Sequence, residues 1–124
     1  MFDAIDPKVR LDHERLDAYD VAVALDGAVV AMARSAGRGH GWLCDQATRA
    51  SASVVLNLAE ALGREGLDRA RALRIARGSA LEVDAALTLL LHRGACRTDQ
   101  RKAARDLTVR VVAMLTVLKR RAAP

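Results

Sequence analysis

A chain of 124 residues that is 52% apolar but only 2% aromatic can bury one core, and builds it from Ala, Val and Leu, which suits close helix packing. Its two prolines, Pro7 and Pro124, leave a long proline-free interior, as an all-α chain requires. No run of 18 apolar, uncharged residues is present, so no membrane-spanning helix and no membrane partner are expected. The opening MFDAIDPKVR is too acidic and polar for a signal peptide, and a cytoplasmic location is expected.

The net charge of +5 is unevenly spread. Residues 1–36 carry four Lys/Arg against seven Asp/Glu, and residues 94–124 carry eight against two. The basic end offers a face to nucleic acid or another polyanion. Equally, it can pair with the acidic first helix or with another subunit.

The periodicity predicts four helices, over residues 12–35, 42–62, 67–93 and 98–121. Asp12 is a plausible N-cap for the first. Leu16, Tyr19, Val23 and Val30 mark its 3–4 stripe, and Val21, Leu25, Ala28, Val29 and Met32 widen it. Gly37, Gly39 and Gly41 fall within five residues and force a loop. Asp45 complements the dipole of the second helix, and Gly63 ends it. In the third, Leu73, Ala76, Ala80, Val83, Leu87 and Leu90 keep the 3-4-3-4-3 spacing of a bundle seam. Gly94 stops that helix and Thr98 can cap the fourth. The fourth turns Ala104, Leu107, Val111, Met114 and Leu118 inward, with Arg101, Lys102, Arg105, Lys119 and Arg120 roughly opposite. Four such helices with short loops predict a single domain, residues 1–124, folded as an antiparallel up-down-up-down four-helix bundle.

The second helix carries its polar residues, Gln46, Arg49, Ser53, Asn57, Glu60 and Arg64, within a window of roughly 80°. The rest of its circumference is wider than one bundle can bury, so part of it is expected to face another subunit. Asn57 and Glu60 could meet Arg74 and Arg77 across the hairpin and fix helix register. No His, Cys or second carboxylate accompanies Glu60 in the pattern, and no enzyme activity or cofactor is expected.

The pairs His40-x-x-x-Cys44 and His92-x-x-x-Cys96 fall at one end of such a bundle, where two Cys and two His could hold zinc. The tight C-x-x-C spacing of a zinc site is missing, so two free thiols and two surface histidines are the plainer reading. A Cys44–Cys96 disulfide is disfavoured by the expected compartment.

Several segments fall together in order and spacing: Leu16-Asp17-Ala18-Tyr19, Leu43-x-x-Gln46-x-x-Arg49, Ser53-x-x-x-Asn57-x-Ala59-Glu60, Gly63-Arg64 and Ile75-Ala76-Arg77-Gly78-Ser79-x-x-Glu82. Over residues 13–121 the chain resembles the four-helix-bundle family first known as 23S ribosomal RNA intervening-sequence proteins. It departs from the family at Ala61, where glycine is usual, at Val55-Leu56, where proline is usual, and at Ala70 to Leu73, where aromatics are usual. The resemblance implies a ring-shaped homo-oligomer, often a pentamer, without enzyme activity. Some members are encoded within ribosomal RNA insertions. Related accessory proteins of diversity-generating retroelements bind a reverse transcriptase and nucleic acid.

These readings combine into a non-enzymatic oligomeric scaffold that binds nucleic acid, RNA first, through Arg101, Lys102, Arg105, Lys119 and Arg120. The alternatives are a protein adaptor, for instance for a reverse transcriptase, and a zinc-stabilised bundle. The scarcity of aromatics predicts charge-led rather than stacking contacts.

Overall fold

The computed structural model describes residues 10–122, and among these the chain is all-α, without a strand. A 3-10 turn, Asp12–Arg15, precedes α1 (Asp17–Ser35), α2 (Gly41–Leu62), α3 (Gly66–His92) and α4 (Thr98–Ala122). The boundaries of α2, α3 and α4 fall within a residue of expectation. The first helix does not. Leu16 is extended, with φ −98° and ψ 129°, and separates the 3-10 turn from α1. Glu14 holds that turn by accepting the Leu11 N–H at 3.1 Å, so Asp12 caps no long helix.

The helix ends are closed by different devices. After α3, Gly94 takes φ +71°, and the Ala95 N–H reaches back to the Leu90 carbonyl at 2.8 Å; this left-handed residue satisfies carbonyls that have no partner within the helix. Gly63 ends α2 without it, at φ −88°. Instead Arg69 reaches back from α3, its Nε donating to the carbonyls of Ala61 at 3.0 Å and Arg64 at 2.7 Å. Thr98 is the first residue of α4 rather than its cap. The Arg97 carbonyl takes the first helical bond, from the Arg101 N–H at 3.0 Å, and Gln100 Oε1 accepts the Arg97 N–H at 3.0 Å, one half of a capping box.

Helix α1 packs on α2 and α4, and α3 packs on α2 and α4, so the four helices stand at the corners of a square. Small residues make this close approach possible: Ala22, Ala47, Ala61, Ala76, Ala80 and Ala104 are all buried where helices meet. The α3 seam is as its spacing predicts, with all six residues from Leu73 to Leu90 buried. Each such leucine contributes about 1.5–3 kcal/mol by leaving water.

On α1 and α4 the inward face is rotated from the narrow stripe expected, and on α1 it follows the residues that widened it. In α1 it is Val21, Ala22, Leu25, Val29 and Met32 that are buried, while Val23 is 45% exposed. In α4, Thr108 and Leu115 join Ala104 and Val111 inside, and Leu107, Met114 and Leu118 are only half-buried. Thr108 disguised that face in the sequence. Its hydroxyl is silenced by donating to the Ala104 carbonyl at 2.8 Å, so it packs as a small apolar group.

The core forms two apolar clusters. One joins Leu25, Val29, Met32, Leu43, Ala47, Leu87 and Leu90; the other joins Ala18, Val54, Leu58, Ala61, Leu73 and Leu115. Leu107 packs against both. No helix among the described residues is long and apolar enough to cross a membrane.

Candidate nucleic-acid interface

The five basic residues expected on one face of α4 are divided along its length. Lys119 lies 18 positions after Arg101, about 27 Å along the helix axis, so Arg101, Lys102 and Arg105 occupy one end and Lys119 and Arg120 the other.

At the first end α3 neutralises two of the three. Asp84 and Thr88 stand one turn apart on α3, and Arg101 and Arg105 stand one turn apart on α4. Arg101 Nη2 lies 3.1 Å from Asp84 Oδ1 and donates to Thr88 Oγ1 at 2.8 Å. Arg105 Nη1 donates to both Asp84 carboxylate oxygens, at 3.1 and 3.0 Å. The Arg101 side chain is only 13% exposed, and its Nε is buried without a partner among the described residues. Arg101 is therefore a partner for α3 before it is a contact for anything outside. Sequence reading missed Asp84, although the matching one-turn spacings of Asp84/Thr88 and Arg101/Arg105 are the signal that could have found it.

Lys102 faces outward and pairs only with exposed Asp106, at 3.4 Å, a contact worth little in water. Lys102, Arg105 and Arg110 line an open depression of about 620 Å³ between the end of α3 and the start of α4, with Leu91 and Val109 as its apolar part. At the far end of α4, Lys119 and Arg120 have no ion pair among the described residues. Beside them, Leu16 and Asp17 of the acidic α1 start share a groove with Val117 and Leu118.

The expected Asn57–Glu60–Arg74–Arg77 network does not form. Asn57 donates to the Ser53 carbonyl at 2.9 Å and to its hydroxyl at 3.0 Å. Glu60 pairs with Arg64 at 2.9 Å, one turn along its own helix. Arg77 reaches α4 instead, donating to Thr116 Oγ1 at 3.0 Å, and Arg74 is exposed. The register explains this. Ser53 meets Ser79 at 2.8 Å, which sets Asn57 near Ile75 and Glu60 near Ala72 and Arg71, as their shared groove confirms. Arg77 lies two residues from both Ile75 and Ser79, about 200° around the helix, so it faces α4. The role expected of that network falls to Ser53–Ser79 and to buried Ser51, whose hydroxyl donates to Asp26 at 2.7 Å and ties α2 to α1.

Among the described residues, no group of three or more His, Cys, Asp or Glu side chains is placed to hold a metal ion. Cys44 is buried and Cys96 half-buried, both against the first apolar cluster, and neither is in a disulfide. Burial pushes both thiols up; the Asp45 charge adds to this at Cys44, and Arg101 opposes it at Cys96. His92 is exposed, and His40 precedes α2 with a buried, unpartnered Nδ1.

One feature at this end was not expected from the sequence. Trp42 is 59% exposed, and the Arg93 guanidinium lies over its ring, Cζ 5.5 Å from the centroid. That contact joins the start of α2 to the end of α3, so residues 34–49 and 92–102 converge on one end of the bundle. They carry seven Lys/Arg against two Asp/Glu.

Among curated proteins no sequence matches the chain. The model of the family described as "23S rRNA-intervening sequence protein" matches residues 14–117, and with most of its length matched the chain belongs to that family.

Proposed function

We propose that this protein is a non-enzymatic, self-associating scaffold that binds nucleic acid, RNA first, through its basic surface. The observation that carries this reading is the excess of cations over acids at the Trp42 end, seven to two, together with the α4 depression bordered by Lys102, Arg105 and Arg110, with Asp106 its one acid. Such a surface neutralises phosphates and releases their counterions. Membership of a family named for an insertion in ribosomal RNA makes RNA the first polymer to try. The test is binding of RNA across a salt series. The affinity is expected to fall steeply and linearly on logarithmic axes; binding unchanged from low to high salt would sink the reading.

Self-association rests on two separate apolar surfaces. Leu56, 67% exposed, lies with Val23 and Val55 in a shallow groove between α1 and α2. Leu81 and Val109, exposed, line another between α3 and α4. In an antiparallel up-down-up-down bundle these grooves lie on opposite sides, and unlike surfaces that meet head to tail close into rings. This arrangement supports a cyclic homo-oligomer, the pentamer suggested by the resemblance among them. Leu56→Asp is expected to reduce the mass in solution to that of a monomer; an unchanged mass removes the α1–α2 groove from the assembly.

The exposed Val109 and Val117 on the outer side of α4 favour a second reading, an adaptor that docks a protein such as a reverse transcriptase. Co-purification with such an enzyme, lost on Val117→Asp while RNA binding persists, would support it.

A further inference from the structure

We infer that the Trp42 end of the bundle is a stacking site for an unpaired base of single-stranded nucleic acid, with Arg93 and Arg38 as its phosphate contacts. The inference rests on the nucleic-acid reading above and adds to it a chemistry and a place.

Trp42 is the only tryptophan in the chain. Its neighbours Leu43 and Cys44 enter the core, yet the largest apolar side chain stays outside. No packing demand explains this, because the core is closed with Leu, Val and Ala. What holds the indole is the Arg93 guanidinium, a cation against its π-face. At 59% exposure more than half of the side chain remains open to a ligand. Arg93 has no carboxylate partner among the described residues, so its N–H donors remain available while its Cζ lies over the indole.

The surroundings fit a nucleotide better than a protein. Arg38 stands between Gly37 and Gly39, whose φ of +83° and +90° carry the loop through conformations that L side chains rarely adopt. The arginine is thereby presented at an exposed tip, and neither it nor Arg34 is ion-paired among the described residues. A protein-docking patch would surround the tryptophan with further apolar groups. Here the neighbours along the chain are Gly39, His40 and Gly41 on one side, His92 and Gly94 flank Arg93, and one exposed apolar side chain, Leu89, precedes Arg93 by one turn. One aromatic platform amid unpaired arginines is the composition of single-strand binding surfaces. Duplexes keep their base faces stacked internally, so only an unpaired base can use the ring.

Trp42 also supplies the measurement. The full-length protein is titrated with oligouridylate, oligothymidylate, a duplex RNA of equal length, and inorganic polyphosphate, following both intrinsic fluorescence and ligand anisotropy. Both single strands are expected to quench the tryptophan; the duplex and polyphosphate are not. Trp42→Ala is expected to weaken single-strand binding about tenfold, one stacked base, with polyphosphate affinity unchanged. Trp42→Phe retains most of the affinity, and Arg93→Ala loses part of it. Circular dichroism confirms that each variant is folded. Single strands that bind without quenching, and bind Trp42→Ala as tightly, overturn the inference and leave the nucleic-acid reading standing. Equal quenching by polyphosphate or duplex also overturns it, since charge alone then suffices. Failure of every polymer to bind at low salt removes both.

Discussion

The two ends of the bundle are built from similar residues and differ in what is left over. At the Trp42 end seven cations face two acids. At the other end, residues 10–20, 60–74 and 116–122 hold nine Lys/Arg against seven Asp/Glu. Part of that charge is engaged within the fold: Arg69 caps α2 and Glu60 pairs with Arg64. Counting basic residues along α4 weights both ends alike. What separates the ends is net charge: the Trp42 end keeps seven cations to two acids within its segments, although Arg97, Arg101 and Lys102 there are ion-paired.

The comparison has force only if the two ends belong to one folding unit. Leu107 packs against both apolar clusters, so they are expected to melt together. Leu87→Ala, beneath the Trp42 end, and Leu115→Ala, beneath the other, should each cost about 2–5 kcal/mol, because both are buried and leave cavities. Trp42 fluorescence and helical circular dichroism should report the same midpoint in each variant. Separate midpoints would show two independent units and break the comparison.

A smaller effect tests whether engagement, rather than number, decides which cations bind. Asp84 is the shared carboxylate of Arg101 and Arg105. Asp84→Ala strands the half-buried Arg101 and should cost about 2 kcal/mol, below the figure for a fully buried pair because water reaches this one. The same change releases Arg105, so RNA affinity at low salt should rise while stability falls. The salt slope should steepen by about 1. Affinity that falls in step with stability would show that Asp84 organises the surface rather than masking it.

Legibility in the sequence followed the same division between what one helix decides and what two decide together. The α3 seam from Leu73 to Leu90 was readable because apolar spacing alone places it. The α4 face was misread by one position at Thr108, since a hydroxyl bonded to its own helix counts as apolar only in the fold. The break at Leu16 carries no glycine or proline to announce it. The Asn57–Glu60–Arg74–Arg77 network failed because the hairpin register, with Ser53 against Ser79, turns Arg77 toward α4. Trp42 was visible as a residue, but its exposure and its arginine depend on where α3 ends, which no local pattern contains.

The smallest effect concerns the thiols, which share the Trp42 end with the charged surface yet face the core. Burial holds both Cys44 and Cys96 above the ordinary thiol value of 9.0. The thiolate is the reactive form, so the folded protein should react slowly with a disulfide reagent at pH 8. Cys96, half-buried and with Arg101 opposing the shift, should react before Cys44. The sign for stability follows from the same shift. The unfolded chain loses these protons first as pH rises through 9.0, so the contribution is complete below that value and is lost as pH climbs through the raised native values. A Cys44→Ala, Cys96→Ala variant should flatten that alkaline decline. Rapid reaction of Cys44 in the folded state would mean that the cluster beneath the Trp42 end opens readily, and a mobile floor there would weaken the case for a rigid stacking platform above it.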